Sequence, residues 1–505
     1  MIVVAAERHA ERVAIEDGDG CGVTYAELLA RARHAAGTIA AGSIVELEAA
    51  RTVDFVAGCL GAWLARAAWI PIDACEPAWR RAAIRGDLAA AGGVGARGAG
   101  SLAYVIATSG SSGAPKLVMV AHRGLPALLR AQIDAFELAP GARALWLHAP
   151  RFDASVSDWG TALAAGATLV IPAPDALAAP ERLRGELVGR GITHVDLPPA
   201  LLAYLPPGDP PPGVRVVVLG GEPCPIEPVR ALARRAKVVV VYGPTEATVC
   251  SSLVAVDPER WSRPLIGDPL PGVLYRVVDG ELWIAGDCLA LGYAGDPEAT
   301  ARAFVELDGE RMYRTGDRVE PCDGGLAFVG RIDRQRKVAG VRVDLEEIEA
   351  VLRRAPGIRE AAVTVAVPGD AGRGGRGEHG GRARVVAYVD GALEPAEVRA
   401  WMRREAPTWM VPSRVIVGAL PHTPTGKIDH GALARRELPA LIPAGGDPLE
   451  RALAALWCEA LGVAEVTGER FRDAGGDSLA QLTLLAAAAA RGIALEAAAL
   501  AGDPT

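Results

Sequence analysis

A large N-terminal α/β domain, a smaller α+β domain joined to it by a hinge, and a short all-α bundle at the end are what this 505-residue sequence predicts. The first observation is an alternation of short β-branched runs with helix-like stretches between about residues 100 and 255. A change of composition near residue 331 is the second, and an Ala/Leu-rich end of helical periodicity the third. The length points the same way, because one hydrophobic core does not extend over so long a chain and two or three domains are expected.

The strand-like runs are LAYVIA (102–107), ATLVI (167–171), THVDL (193–197), VRVVVL (214–219) and KVVVVY (237–242). Most are almost continuously apolar, as parallel strands covered on both faces must be. Gly, Pro or Thr follows each, so polar loops fall at the carboxyl ends of a parallel sheet, where ligands bind in open α/β folds. Val338 to about Arg435 reads as the smaller unit, with a charged helix DLEEIEAVLRR (344–354). Inside it DAGRGGRGEHGGR (370–382) is a Gly/Arg-rich surface loop. ELPALIPAGGDP (437–448) is a linker, and the alanine-rich end reflects helix propensity rather than a structural repeat. The expected domains are therefore 1–332, 333–437, a linker at 438–448, and 449–505.

Half of the residues are apolar and 23% charged, the balance of a globular protein. The 53 basic and 61 acidic side chains leave a net charge of −8, which gives no reason to expect nucleic acid or an anionic membrane as partner. Eight cysteines are scattered between Cys21 and Cys458 without a CxxC pair, the pattern of reduced thiols rather than a disulfide framework or zinc site. The start, MIVVAAERHAER, turns charged too early for a secretory signal, and no apolar run approaches the length of a membrane span. A soluble cytoplasmic protein is expected.

Residues 108–116, TSGSSGAPK, follow a strand-like run directly. Thr108, Ser109, Gly110, Ser111, Ser112 and Gly113 are small enough for backbone N–H groups and hydroxyls to close around a polyphosphate, and Lys116 adds positive charge. No Gly-Lys-Ser/Thr follows, so this is not a Walker loop. A Ser/Gly-rich surface turn is the plain alternative.

Further motifs occur in a fixed order: AAWIPID (67–73), RFDAS (151–155), VYGPTE (241–246), GELWIAGDCLALGY (280–293), YRTGD (313–317), GRIDRQRKVAG (330–340) and LPHTPTGKID (420–429). Together with the TSG loop they resemble the adenylation domains of nonribosomal peptide synthetases, within the adenylate-forming enzymes. The resemblance implies ATP and Mg²⁺ as cofactors. It gives the TSG loop and Lys116 to the ATP phosphates, and Glu246 to the metal, for which a carboxylate oxygen is a suitable ligand. It gives Gly221, Tyr242, Gly243, Thr245, Asp317 and Arg331 to the nucleotide, Asp317 accepting the ribose hydroxyls. Without the motif, Asp317 would pass as a turn-capping aspartate. Asp333 matches the hinge about which the family's small domain rotates, and Lys427 the catalytic lysine that reaches the substrate carboxylate and α-phosphate. In such a transfer, positioning and charge neutralisation supply most of the catalysis.

FRDAGGDSLAQL (471–482) resembles a carrier-protein motif in which Ser478 receives a 4′-phosphopantetheine arm. A hydroxyl after flexible glycines at a helix start suits a phosphodiester there. Only 27 residues follow Ser478, so an abbreviated carrier is expected, and RGDLAAAGGVGARGAG (85–100) is compressed relative to the family. Within motifs, Ala107 stands where an aromatic is usual, Ser112 for Thr, Leu117 for Gly and Ala339 for a common Arg. These departures are expected to adjust rates rather than abolish chemistry.

Asp153 matches the acid that pairs with a substrate α-ammonium group, the sign of an α-amino acid rather than an aryl or fatty acid. The other matching pocket positions are Ala154, Ser157, Asp196, Val218, Gly220, Val241, Val249 and Cys250, mostly small. Ala154, Ser157, Val218, Val249 and Cys250 agree with tyrosine and β-hydroxytyrosine pockets; Gly220 and Val241 stand where those carry alanine, and Asp196 where they carry threonine. A buried carboxylate is costly without a partner, so a large substrate bearing a donor or cation is expected: tyrosine-like, histidine, arginine-like or tryptophan. The reaction implied is formation of an aminoacyl adenylate and transfer to the chain's own carrier. Its partners would be a phosphopantetheinyl transferase, a downstream synthetase or tailoring enzyme, and a small MbtH-like protein. An acyl- or aryl-CoA ligase and a non-catalytic carrier scaffold are the competing readings.

Overall fold

A computed structural model describes residues 1–74, 76–90, 101–108, 115–173, 176, 180–205, 209–332, 335–338, 341–366, 384–422, 428–434, 436, 448–461 and seven isolated positions, 484, 485, 487, 488, 491, 493 and 495. The chain divides into two units, one comprising Met1–Thr108, Pro115–Pro174 and Arg184–Asp333, the other Ser109–Ala114, Asp175–Leu183 and Arg334–Thr505.

In the first unit, a nine-stranded sheet runs in the order 268–269, 252–255, 237–242, 216–220, 194–197, 143–145, 168–170, 13–16, 22–24. Its six inner strands are parallel and only its edges are antiparallel. Four of the five runs read as strands lie here, buried as expected. The fifth does not. Leu102–Thr108 belongs to a second sheet, parallel to Ala68–Ile72 on one side and antiparallel to Lys116–Ala121 on the other. An antiparallel return so close in sequence needs only a short connection, and the TSG segment supplies it. A third, antiparallel sheet is built from Val273–Val278, Glu281–Gly286, Phe304–Leu307, Glu310–Cys322 and Gly325–Arg331.

Local chemistry fixes the helices. Tyr25–Ala36 begins with a capping box in which Thr24 and Glu27 satisfy each other's free N–H groups. Val53–Leu64 begins on the Thr52 hydroxyl, which accepts from Phe55 N. Of the segment 85–100, expected to be compressed relative to the family, Arg85–Ala90 form the end of a helix, Ala78–Ala90, and the rest lies outside the described residues. Ala154–Ala164 is a single helical run whose centre, Ser157–Thr161, widens to π-helical spacing.

In the second unit the charged helix runs Leu345–Arg353, with Asp344 capping it by accepting from Glu346 N at 3.0 Å. Its apolar face packs on Ile358–Ala366, which pairs with Arg384–Gly391 and through it with Arg414–Val417. The loop expected at 370–382 lies outside the described residues. Pro448, read as the last linker residue, instead opens the helix Pro448–Leu461; proline's fixed φ suits a helix's first turn. The seven described cysteines are all free. No helix among the described residues is long and apolar enough to cross a membrane.

Tyr25 is fully buried and donates its hydroxyl to Ala167 O at 2.7 Å and Leu163 O at 3.2 Å, tying an N-terminal helix to the end of the π-widened one. Replacing Tyr25 by Phe should cost about 1–3 kcal/mol in a denaturant titration, since both carbonyls lose a buried partner.

Candidate active site

Four of the nine residues expected at the substrate lie on the parallel strands of the large sheet. Asp196, Val218, Gly220 and Val241 lie on one face of the large sheet, because Asp196 is in register with Val218 and Gly220 with Val241. A Cβ added at Gly220 would lie 2.5 Å from Val241 Cγ2. The Gly/Val pair that stands in place of two alanines is thus one unit, volume removed at 220 admitting volume at 241. The same trade occurs in the second sheet. Ala107 lies directly opposite buried Leu117, so the lost aromatic and the added leucine face each other across the hairpin.

Ser157 lies in the π-widened turn. Its hydroxyl donates to Gln132 Oε1 at 2.9 Å, Thr161 donates to the same oxygen at 2.7 Å, and Gln132 Nε2 donates to Cys250 Sγ at 3.4 Å. Gln132 is almost fully buried, so the serine, the thiol and the helix are held by one amide. Thr248 and Val249 place Cys250 from left-handed backbone, φ +55° and +67°. A β-branched residue in that region is strained and persists only where the surroundings enforce it. Here Gly243 allows the close crossing, its absent Cβ falling 2.4 Å from Cys250 Cα.

Asp153 and Ala154, both half-buried, open the helical run. Burial, and after it the Asp153 charge, pushes the Tyr104 phenol well above its ordinary range. Burial also pushes the Cys250 thiol up to about 12, with the Asp196 and Asp153 carboxylates adding to it. Asp153, Asp196, Tyr104 and Cys250 therefore share one neighbourhood.

Among the residues expected at the nucleotide, Asp317 is buried within the strand Glu310–Cys322 rather than in a turn. Tyr242 donates its hydroxyl to Asp317 Oδ2 at 2.5 Å and Arg331 Nη1 donates to Oδ1 at 2.6 Å. Three residues expected at the nucleotide thus form one hydrogen-bonded set. Gly221, at φ +84°, follows the strand Val216–Gly220 directly, and Thr245 begins a short turn that contains Glu246. Glu246 is 1% exposed, and Tyr293 donates its hydroxyl to Oε1 at 2.8 Å. The Lys116 ammonium sits 5.4 Å over the Tyr293 ring. Lys116 is also paired in register with Thr108, so the two ends of the TSG segment are pinned opposite each other. A buried carboxylate with a lysine close by has the donor chemistry for Mg²⁺ on a phosphate. Ser109, Gly110, Ser111, Ser112, Gly113, Asp333, Ala339, Lys427 and Ser478 lie outside the described residues.

Sequence reasoning missed Gln132, Tyr293, His148, Asp158 and Arg51. Gln132 was legible as a lone polar residue on the apolar face of LPALLRAQIDAF, and His148 by its place three residues beyond a strand end. Asp158 Oδ2 accepts from His148 N at 2.8 Å and lies 3.1 Å from His148 Nδ1. Arg51 donates to Leu147 O at 2.6 Å and to His148 O at 3.4 Å. Burial opposes the His148 charge, but Asp158 and Asp196 outweigh it and hold the imidazole protonated to about 9. Burial raises Asp196, with His148 offsetting part of that.

Comparison with known proteins identifies the family. Family models match the AMP-binding enzymes over residues 91–294, the AMP-binding enzyme C-terminal domain over 347–427, and the phosphopantetheine attachment site over 451–505. Novobiocin biosynthesis protein H of Streptomyces niveus is 36% identical over 420 residues, 78% of this chain and 68% of that one. Phosphinothricin tripeptide synthetase PhsC of Streptomyces viridochromogenes is 38% identical over 415 residues, 76% of this chain but 37% of its own length. The structure of holo-PA1221, a nonribosomal peptide synthetase protein containing adenylation and carrier domains, superposes with a TM-score of 0.80 at 29% identity, covering 97% of this chain and 91% of that one. The fold is that of an adenylate-forming enzyme. The chain belongs to the AMP-binding enzymes of nonribosomal peptide synthetase type, carrying an adenylation domain and a carrier domain. ATP with Mg²⁺ and 4′-phosphopantetheine are its cofactors.

Two outcomes are expected. Gly220→Ala alone should cost about 1–3 kcal/mol of stability through overpacking against Val241, and the double variant with Val241→Ala should recover most of it in thermal melts. For His148, a folded-state pKa near 9 against an ordinary 6.5 means its stabilisation is complete below pH 6.5 and lost as pH rises through 9. The full effect is on the order of 3 kcal/mol. The melting temperature should therefore fall between pH 7 and 9.5 more steeply in the parent than in His148→Gln.

Proposed function

We propose that this enzyme activates an α-amino acid as its aminoacyl adenylate and passes the aminoacyl group to its own carrier domain, in nonribosomal peptide or related amino-acid-derived biosynthesis. The observation that carries the amino-acid reading is Asp153. Its half-buried carboxylate acts on buried Tyr104 and Cys250, and a substrate ammonium group beside it would be its natural partner. The nucleotide would lie toward Tyr242, Asp317 and Arg331, with ribose hydroxyls on Asp317 and the phosphates toward Thr108, Lys116 and Glu246. A magnesium ion on Glu246 would neutralise phosphate charge. Lys427 is proposed to neutralise charge between the substrate carboxylate and the α-phosphate, and Asp333 to be the hinge. With ATP, the carboxylate oxygen forms the new P–O bond at the α-phosphate as pyrophosphate leaves. A phosphopantetheine arm on Ser478 would supply the thiol that attacks the acyl carbon, losing its proton as the thioester forms and AMP leaves.

The carrier domain implies a phosphopantetheinyl transferase and a downstream synthetase as partners; an MbtH-like protein and a tailoring enzyme are proposed beside them. The test is intact mass after conversion to the holo form and incubation with ATP, Mg²⁺ and mixed amino acids. A phosphopantetheine increment followed by one aminoacyl increment is expected; aryl or acyl loading alone would overturn the reading. In ATP–pyrophosphate exchange, Asp153→Ala should raise KM for the amino acid at least ~30-fold, the consequence of losing one partner of a buried charge pair.

A further inference from the structure

His148, Asp158 and Asp196 offer ligand atoms that all lie within 4.8 Å of one another, and the amino-acid reading above uses only the third. Topology brings them together. His148 leaves the carboxyl end of the strand Arg143–Leu145, Asp196 lies near the end of its parallel neighbour, and Asp158 projects from the π-widened turn. Asp158 Oδ2 takes both the backbone N–H and Nδ1 of His148, which fixes the ring and leaves Nε2 as its free donor. Neither Nε2 of His148 nor the Asp196 carboxylate has a hydrogen-bond partner among the described residues, and Oδ1 of Asp158 is buried without one. A donor and an acceptor thus stand side by side, both without a partner, in the neighbourhood that Asp196 shares with Cys250 and Asp153.

The charges narrow what can fill the gap. Arg51 and protonated His148 balance Asp158 and Asp196, while the nearby Arg151 and Arg80 are taken by Asp73 at 2.6 Å and Glu76 at 2.9 Å. A cationic or anionic side chain entering here would be a buried charge without compensation. An apolar one would expel water and leave Asp196 and Nε2 unsatisfied.

We propose that His148, positioned by Asp158, determines specificity jointly with Asp196, and that the side chain they read is neutral and both donates and accepts a hydrogen bond: a hydroxyl, phenolic or aliphatic, or a carboxamide. The group donates to Asp196 and accepts from Nε2 of His148. This rests on the amino-acid reading, and narrows it by excluding arginine-like substrates.

The test is ATP–pyrophosphate exchange by the full chain with a matched panel: tyrosine against phenylalanine, threonine against valine, glutamine and asparagine against leucine, with arginine, ornithine and glutamate. One neutral polar member should exceed its apolar partner at least ~100-fold in kcat/KM, because a site built to bond a polar group rejects the analogue that lacks it. His148→Leu should shrink that ratio to below ~10-fold, while His148→Gln, which keeps an N–H donor, should retain more of it. Asp158→Asn should raise KM by more than it lowers kcat, the signature of lost positioning rather than lost chemistry. Melting curves separate these effects from misfolding. Preference for a cationic or apolar amino acid, or an unchanged ratio in a folded His148→Leu, would overturn the proposal. So would one equivalent of a transition metal in the purified protein that His148→Leu abolishes. Activation confined to acids without an α-amino group would instead overturn the amino-acid reading, and 4-hydroxybenzoate against benzoate would then decide the role of His148.

Discussion

The helix that carries Ser157 and Asp158 is held by a cluster of buried aromatic rings, and the geometry of the substrate side follows from that. Trp69 stacks on Tyr104 with ring centroids 5.0 Å apart, Phe55 meets Trp69 edge-on at 5.7 Å, and Trp159 lies 5.5 Å from Trp63. Trp146, just beyond a strand of the large sheet, packs 6.1 Å from Phe55 and donates its indole N–H to Ser155 at 2.9 Å. Two sheets and two helices therefore meet in rings that bury large area at little cost in side-chain freedom. A run clamped at Ser155 and Trp159 keeps its π-widened turn, because shifting one residue would drag an indole out of close packing.

Electrostatic order follows from that clamp. The site holds charge in two separate sets. Around Asp317 the partners are a phenol and a guanidinium, both already hydrogen-bonded to its carboxylate within the strand Glu310–Cys322. Around Asp196 the partners are arranged at a slight distance, so the balance of charge is complete while the hydrogen bonds are not. The first arrangement is already satisfied within the protein, and the second leaves hydrogen-bonding capacity unused.

Departures from the family's motifs acquire meaning only in pairs. Ala107 and Leu117 face each other across a hairpin, and Gly220 and Val241 across two parallel strands. In each pair one residue is smaller than usual and its neighbour larger, so the packing volume is kept while its distribution changes. Read singly along the chain, each is only a departure from the usual residue.

By itself the sequence determined the order of elements and the buried strands, and it singled out the Gly/Ser-rich segment after LAYVIA and the residues expected on nucleotide and metal. Those properties are local: apolar runs, glycines and short motifs whose spacing is set by one turn or one strand end. It also led to Asp196 as a carboxylate in need of a partner, but could not say which. Only the tertiary structure brought His148 and Asp158 to it, moved LAYVIA into a second sheet, and put Tyr293 between Lys116 and Glu246. Register between strands far apart in sequence and the rotation of a π-widened turn decide those neighbours. Neither leaves a periodic trace in the chain, because both arise from packing against residues that lie tens of positions away.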